Sequence, residues 1–94
     1  MNYAMSKIYR FLKKNKGIKV TIDKEGDNIV GIYVNPKPKI LVENSGDHFP
    51  TASIYFDDGK FKVGWGTVRV ETDFSGESEF ENHEEVIKAL EESL

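Results

Sequence analysis

Few residues in this chain are of a type and spacing to do chemistry. His48 and His83 stand far apart, and neither belongs to an H-x-x-x-H or H-E-x-x-H spacing that would turn two imidazoles toward one zinc ion. Asp57-Asp58 has the look of a carboxylate pair. An Asp-Gly step between two alternating apolar runs is a hairpin turn, however, and the turn accounts for both acids. Cysteine is absent, which excludes thiol nucleophiles, thiolate ligands and disulfides together. No G-x-S-x-G, phosphate-loop or G-x-G-x-x-G segment occurs, and Gly64-Trp65-Gly66 lacks both the third glycine and the strand-to-helix setting. The residues therefore predict no catalytic group, no metal ligand and no cofactor, and the chain reads as a protein without enzymatic activity.

What the residue types do supply is charge, divided between the two ends. Residues 1–20 carry Lys7, Arg10, Lys13, Lys14, Lys16 and Lys19 and no acid, whereas residues 71–94 carry nine acids and one base, Lys88. The net charge of −3 conceals this division. Glu71, Asp73, Glu77, Glu79, Glu81, Glu84 and Glu85, with Phe74 and Phe80 as apolar anchors, form a stripe suited to a basic surface on a protein partner. In size and charge plan alone the chain is similar to small inhibitors carried by phages and other mobile elements. That resemblance implies a protein that masks a basic surface, including one built to hold nucleic acid.

Three other readings stand beside it. Lys7, Arg10, Lys14, Lys16 and Lys19 suit nucleic-acid phosphates, with Tyr33, Tyr55 and Trp65 as stacking surface, although VGWGTVRV does not match the aromatic-glycine signature of RNA-binding sheets. An open edge strand would allow a homodimer. A cleft between sheet and helices, lined by His48, Tyr55 or Arg69, would hold a small molecule or an enzymatic site. The plainest alternative is that the lysines are a solvated helix face and the acids solvate a linker and complement a helix N-terminus.

Ninety-four residues suit a single domain spanning 1–94, which buries roughly 60–65% of the surface its unfolded chain exposes. With 38% hydrophobic and 31% charged residues, the composition is that of a globular chain. No apolar run approaches the ~20 residues that span a bilayer, and MNYAMSKIYRFLKKNKG lacks the apolar core of a signal peptide. A cytoplasmic protein without a membrane partner is the expectation.

The elements that must position these charges follow from periodicity. Ala4, Met5, Ile8, Phe11 and Leu12 fall on one face of a helix over Tyr3–Asn15, ended by a left-handed residue at Gly17 or Asn15. Ile18, Val20 and Ile22 alternate as a strand, and Ile29–Val34 forms another. Opposing Ile22 to Val30, Val20 to Ile32 and Ile18 to Val34 leaves a loop of about five residues. Asn35–Lys39 is broken by prolines, Lys39–Glu43 is a short strand, and Asn44–Pro50 is loop. The most determinate stretch is Thr51–Trp65. With Asp58-Gly59 as the turn, Asp57 faces Lys60, Phe56 faces Phe61, Ile54 faces Val63 and Ala52 faces Trp65, so Trp65 points inward. Gly64 and Gly66 permit a bulge before a strand over Thr67–Thr72. Asp73–Glu81 reads as a linker, and Asn82 with Glu85 caps a closing helix over His83–Ser93. The fold class is α+β: an antiparallel sheet of about five to six short strands, with an N-terminal and a C-terminal helix packed on its apolar face.

Overall fold

The computed structural model describes residues 3–36, 49–68 and 74–93. Helix α1 (Tyr3–Lys13) leads into five strands, β1 (Ile18–Glu25), β2 (Asn28–Pro36), β3 (Phe49–Asp57), β4 (Lys60–Val68) and β5 (Phe74–Phe80), and helix α2 (His83–Ser93) follows. The strands form one open antiparallel sheet in the order β1-β2-β3-β4-β5. Sequential neighbours thus pair throughout, as short connections between antiparallel strands favour.

The β3–β4 hairpin carries the expected register, from Asp57 opposite Lys60 through Phe56–Phe61, Ile54–Val63 and Ala52–Trp65. Its turn has positive φ at both central residues, 53° at Asp58 and 75° at Gly59, the requirement of a type I′ turn. β3 begins at Phe49 rather than after Pro50, and Pro50 pairs opposite Thr67.

The β1–β2 register differs from the expected one by two residues. Ile22 lies opposite Ile32, Val20 opposite Val34 and Ile18 opposite Pro36, and only Gly26 and Asp27 separate Glu25 from its partner Asn28. Two features cause the shift. Gly26 has φ 63°, the positive angle that a two-residue turn of the II′ kind needs at its first central position. The ladder then skips a residue, because Asp23 pairs with Gly31 and Lys24 with Ile29. Val30 is the extra residue of that bulge, so Ile29 and Ile32, three apart, are both buried while Val30 is 43% exposed.

The inward residues Ile32, Val34, Ala52, Ile54, Phe61 and Val63 form one cluster with Met5, Ile8 and Leu12 of α1 and Val86 and Leu90 of α2. Tyr3 meets His83 edge-on at 5.8 Å between ring centroids, and Phe11 and Leu12 share a hollow with Leu90, so the two helices run parallel. α1 ends without a left-handed residue. Asn15 N–H donates to Leu12 O at 3.0 Å, tightening the last turn, and the Asn15 side chain accepts from Gly17 N–H at 2.9 Å; neither residue has positive φ. α2 begins as expected, with Glu85 N–H donating to Asn82 Oδ1 at 3.0 Å. The Glu85 carboxylate reaches back one residue further than a capping box, to Glu81 N–H at 3.2 Å.

The segment read as a linker is the edge strand β5. Its inward positions are Gly76, Ser78 and Phe80, opposite Trp65, Val63 and Phe61. Two of the three are small, so the strand lacks the apolar alternation by which strands are recognised. The expected strand Lys39–Glu43, the later part of Thr67–Thr72, and His48, Arg69, Val70, Glu71, Asp73 and Leu94 lie outside the described residues. Among the described residues no helix is long and apolar enough to cross a membrane.

The bulge predicts a contrast between neighbours on β2. Ile32→Ala, at 0% exposure, is expected to lower unfolding free energy by about 2–5 kcal/mol, and Val30→Ala by about 0.5 kcal/mol or less. Urea denaturation of the two variants measures the difference; comparable losses would restore the register without a bulge.

Candidate functional site

The outward side of the sheet is polar and is organised by two tyrosines. Tyr33 folds back over Gly31, where a Cβ would meet its hydroxyl at 3.0 Å, and donates to Asp23 Oδ2 at 2.9 Å. Tyr55, on β3, reaches across β4 to donate to Glu77 Oε2 on β5 at 2.9 Å. Gly64 lies opposite Glu77 on β4 and has no side chain to obstruct that path. The hydrogen bond to Asp23 first, then the carboxylate's charge, holds the Tyr33 phenol above its ordinary pKa of 10.0. The hydrogen bond to Glu77 and partial desolvation do the same for Tyr55.

Beyond Tyr55 stand the carboxylates. Glu77, Glu79 and Glu81 alternate with Ser78 and Phe80, so period 2 turns all three outward, and all three are exposed. Lys60 Nζ lies 3.9 Å from Glu79 and 3.5 Å from Glu81. Lys62 Nζ lies 3.6 Å from Asp57 and 3.9 Å from Glu79. Partial desolvation works against the Lys62 ammonium, but Asp57 and Glu79 outweigh it and raise its pKa above the ordinary 10.5. These pairs are solvent-facing, so screening by water and salt keeps each of them weak. Among the described residues two ammoniums stand among four carboxylates, Asp57, Glu77, Glu79 and Glu81, an excess of negative charge.

Of the expected acidic stripe, then, the structure gathers Glu77, Glu79 and Glu81 on edge strand β5. Glu84 is exposed in the first turn of α2, 3.9 Å from His83 Nε2, and Glu85 caps that helix. Glu71 and Asp73 lie outside the described residues, and Phe74 is described only as the first residue of β5. Phe80 is no exposed anchor: it is half-buried against the core, on the side of the strand opposite the acids. Two of the exposed aromatics are Phe56, 53% exposed, and Tyr3, 57% exposed. Together with Ala4, Met5 and Phe61 they line an apolar hollow of about 260 Å³, beside the Asp57-Asp58 hairpin tip. An Asp-Gly turn predicts the hairpin tip, but not that Phe56, the last inward residue of its strand, overhangs the end of the core.

Trp65 is half-buried on the inward side, and its Nε1–H donates to Ser78 Oγ at 3.0 Å. It is therefore unavailable as a stacking platform. Of the expected basic residues, Lys19 lies on the opposite edge strand, β1, and Lys16 on the connection that enters it. Lys7 is at the N-terminal end of α1 with its ammonium 5.2 Å from the Tyr3 ring centre, apart from Arg10, Lys14, Lys16 and Lys19. Lys14 shares a hollow of about 340 Å³ with Glu91. Lys13, outside the expected set, joins Lys16 and Lys19 in lining another. Among the described residues there is no group of three or more His, Cys, Asp or Glu placed to hold a metal ion. Comparisons with protein-family models, curated proteins and solved structures found nothing that matches the chain.

The tyrosine–carboxylate bonds have a spectroscopic signature. Both favour the neutral phenol, so their stabilising contribution is complete below the unfolded-state pKa near 10 and is lost as pH rises through the higher folded-state value. In an absorbance titration at 295 nm, Asp23→Asn with Glu77→Gln is expected to move two of the four tyrosine steps down toward pH 10. An unchanged titration curve would mean that the bonds do not persist in solution.

Proposed function

We propose that this protein is a non-enzymatic interaction module that binds a protein partner through the acidic edge of its sheet. The observation that carries the reading is the row Glu77, Glu79, Glu81, held outward on an edge strand where two lysines leave an excess of carboxylate. Among the described residues no strand pairs with the outer edge of β5, and an edge of that kind offers backbone groups to an extended segment of a partner. The hollow between Tyr3 and Phe56 adds an apolar anchor beside the acids, an arrangement of apolar centre and charged surround that protein interfaces share. The surface best suited to it is basic and carries a large apolar side chain. A protein that covers such a surface acts by occluding it, which is the manner of action expected of a small inhibitor.

Charge reversal tests this directly. The tagged wild-type chain is expected to retain a protein from nuclease-treated lysate of its source cell, and that protein, once purified, to bind with an affinity that falls as salt rises. Glu77→Lys with Glu79→Lys and Glu81→Lys is expected to weaken binding at least tenfold in calorimetry, and Phe56→Ala by about 1–2 kcal/mol. Each variant should keep its far-UV circular dichroism spectrum, because the pairs it removes are exposed. A partner that binds the charge-reversed chain as tightly as the wild type would sink the reading.

A further inference from the structure

At the corner where α1 passes into β1 lies a hollow of about 230 Å³ lined by Lys13, Asn15, Lys16, Ile18, Lys19 and Val20. Its polar side chains are all donors. Lys13, Lys16 and Lys19 form no ion pair among the described residues, and Lys19, alternating with the inward Ile18 and Val20, carries its ammonium to the outer side of edge strand β1. Asn15 accepts from Gly17 N–H through Oδ1, so its free group is the NH₂. The Lys13 ammonium lies 5.9 Å from the centre of the Tyr9 ring, an i,i+4 cation–π contact that limits where the side chain swings. No acid occurs in residues 1–22 and none among the described residues lines this hollow, although Asn15 also lines the neighbouring one that holds Glu91. A basic residue near a helix C-terminus complements the helix dipole, and Arg10 and Lys13 in the last turn of α1 already serve that need. Lys16 and Lys19 lie beyond the helix and are not accounted for by it. Lys14 does not belong to the hollow, since it faces Glu91 in a different one.

A lining of donors alone calls for a ligand of acceptors alone, and phosphate is the acceptor-rich anion that lysines hold as point charges. The lysines recur every third residue along an open surface running from the helix end onto edge strand β1, instead of closing around one small molecule. We infer that this corner binds the phosphate backbone of a nucleic acid, without reading its bases. This is a second surface, independent of the acidic edge.

The test is fluorescence anisotropy with the full chain and a labelled 20-nucleotide single strand or 20-base-pair duplex, between 50 and 200 mM salt. Binding of the wild type is expected at ~10⁻⁴ M or tighter in the lowest salt. Lys13→Gln with Lys16→Gln and Lys19→Gln should weaken it at least tenfold and flatten the salt slope by about 2 for the single strand and about 3 for the duplex, in line with three lost phosphate contacts. Lys13→Arg with Lys16→Arg and Lys19→Arg should retain binding, and Lys60→Gln with Lys62→Gln, which alters lysines outside the corner, should stay within twofold. Absence of wild-type binding at 50 mM salt, a glutamine triple variant within twofold of wild type, or equal affinity for polyglutamate of matched charge would each overturn the inference. The last outcome would assign the corner to an acidic protein surface instead.

Discussion

The two positive φ angles at Asp58 and Gly59 set the inward and outward sides of the sheet. They fix the β3–β4 register, and a slip of one residue there would send Phe61 and Val63 to water while Lys62 entered the core. Each large apolar side chain so exposed would cost about 1.5–3 kcal/mol. Because every strand pairs with its sequence neighbour, the choice made at β3 and β4 passes outward: Ile54 places Ile32, which places Ile22, and Phe61 places Phe80. The helices bury Met5, Ile8, Leu12, Val86 and Leu90 in the cluster this selects, and the charged residues of the strands are left on the other side.

The acidic edge depends on this alternation through one side chain. Trp65 lies opposite Gly76, where an added Cβ would meet nothing within 4 Å, and its indole N–H is satisfied by Ser78. Gly76 has φ 134°, and the ladder shifts between Trp65 and Gly66. An edge strand whose inner side needs only glycine, serine and one phenylalanine is free to be wholly acidic on its outer side. The same charges discourage indiscriminate pairing of that edge with other strands. Edge protection and partner recognition therefore draw on the same residues, and the exposed hollow at Tyr3 and Phe56 is the feature that edge protection alone does not explain.

Legibility in the sequence followed the strength of local constraint. Asp58-Gly59 between alternating apolar runs specified the central hairpin residue by residue, and Asn82 with Glu85 specified the start of α2. Gly26 was equally a turn signal, but Val30 made the β1–β2 register ambiguous. An apolar residue pushed outward by a bulge looks the same in sequence as one facing the core. β5 was misread because two of its three inward residues, Gly76 and Ser78, are small, so it lacks the apolar alternation that marks a strand. At the charged surfaces, composition identified Glu77, Glu79, Glu81, Lys16 and Lys19. Lys13, counted only in the basic N-terminal segment, and Phe56, read only as facing Phe61, were given no surface role because that depends on which side of α1 meets β1 and on where the core stops.

Opposite charges at the two ends of the chain would be expected to neutralise one another in the fold, and the topology prevents it. β1 and β5 are the two edges of a five-stranded sheet, four inter-strand spacings apart, which at ~4.8 Å each is about 19 Å. That is more than twice the Debye length of about 8 Å at physiological ionic strength, so Lys19 and Glu77 scarcely sense each other. The parallel helices bring Lys14 and Glu91 to one hollow, but no ion pair forms between α1 and α2 among the described residues. The net charge of −3 thus conceals two separated patches, one basic where α1 passes into β1 and one acidic along β5. A meander that keeps its first and last strands apart allows one small chain to present a negative surface and a positive one at the same time.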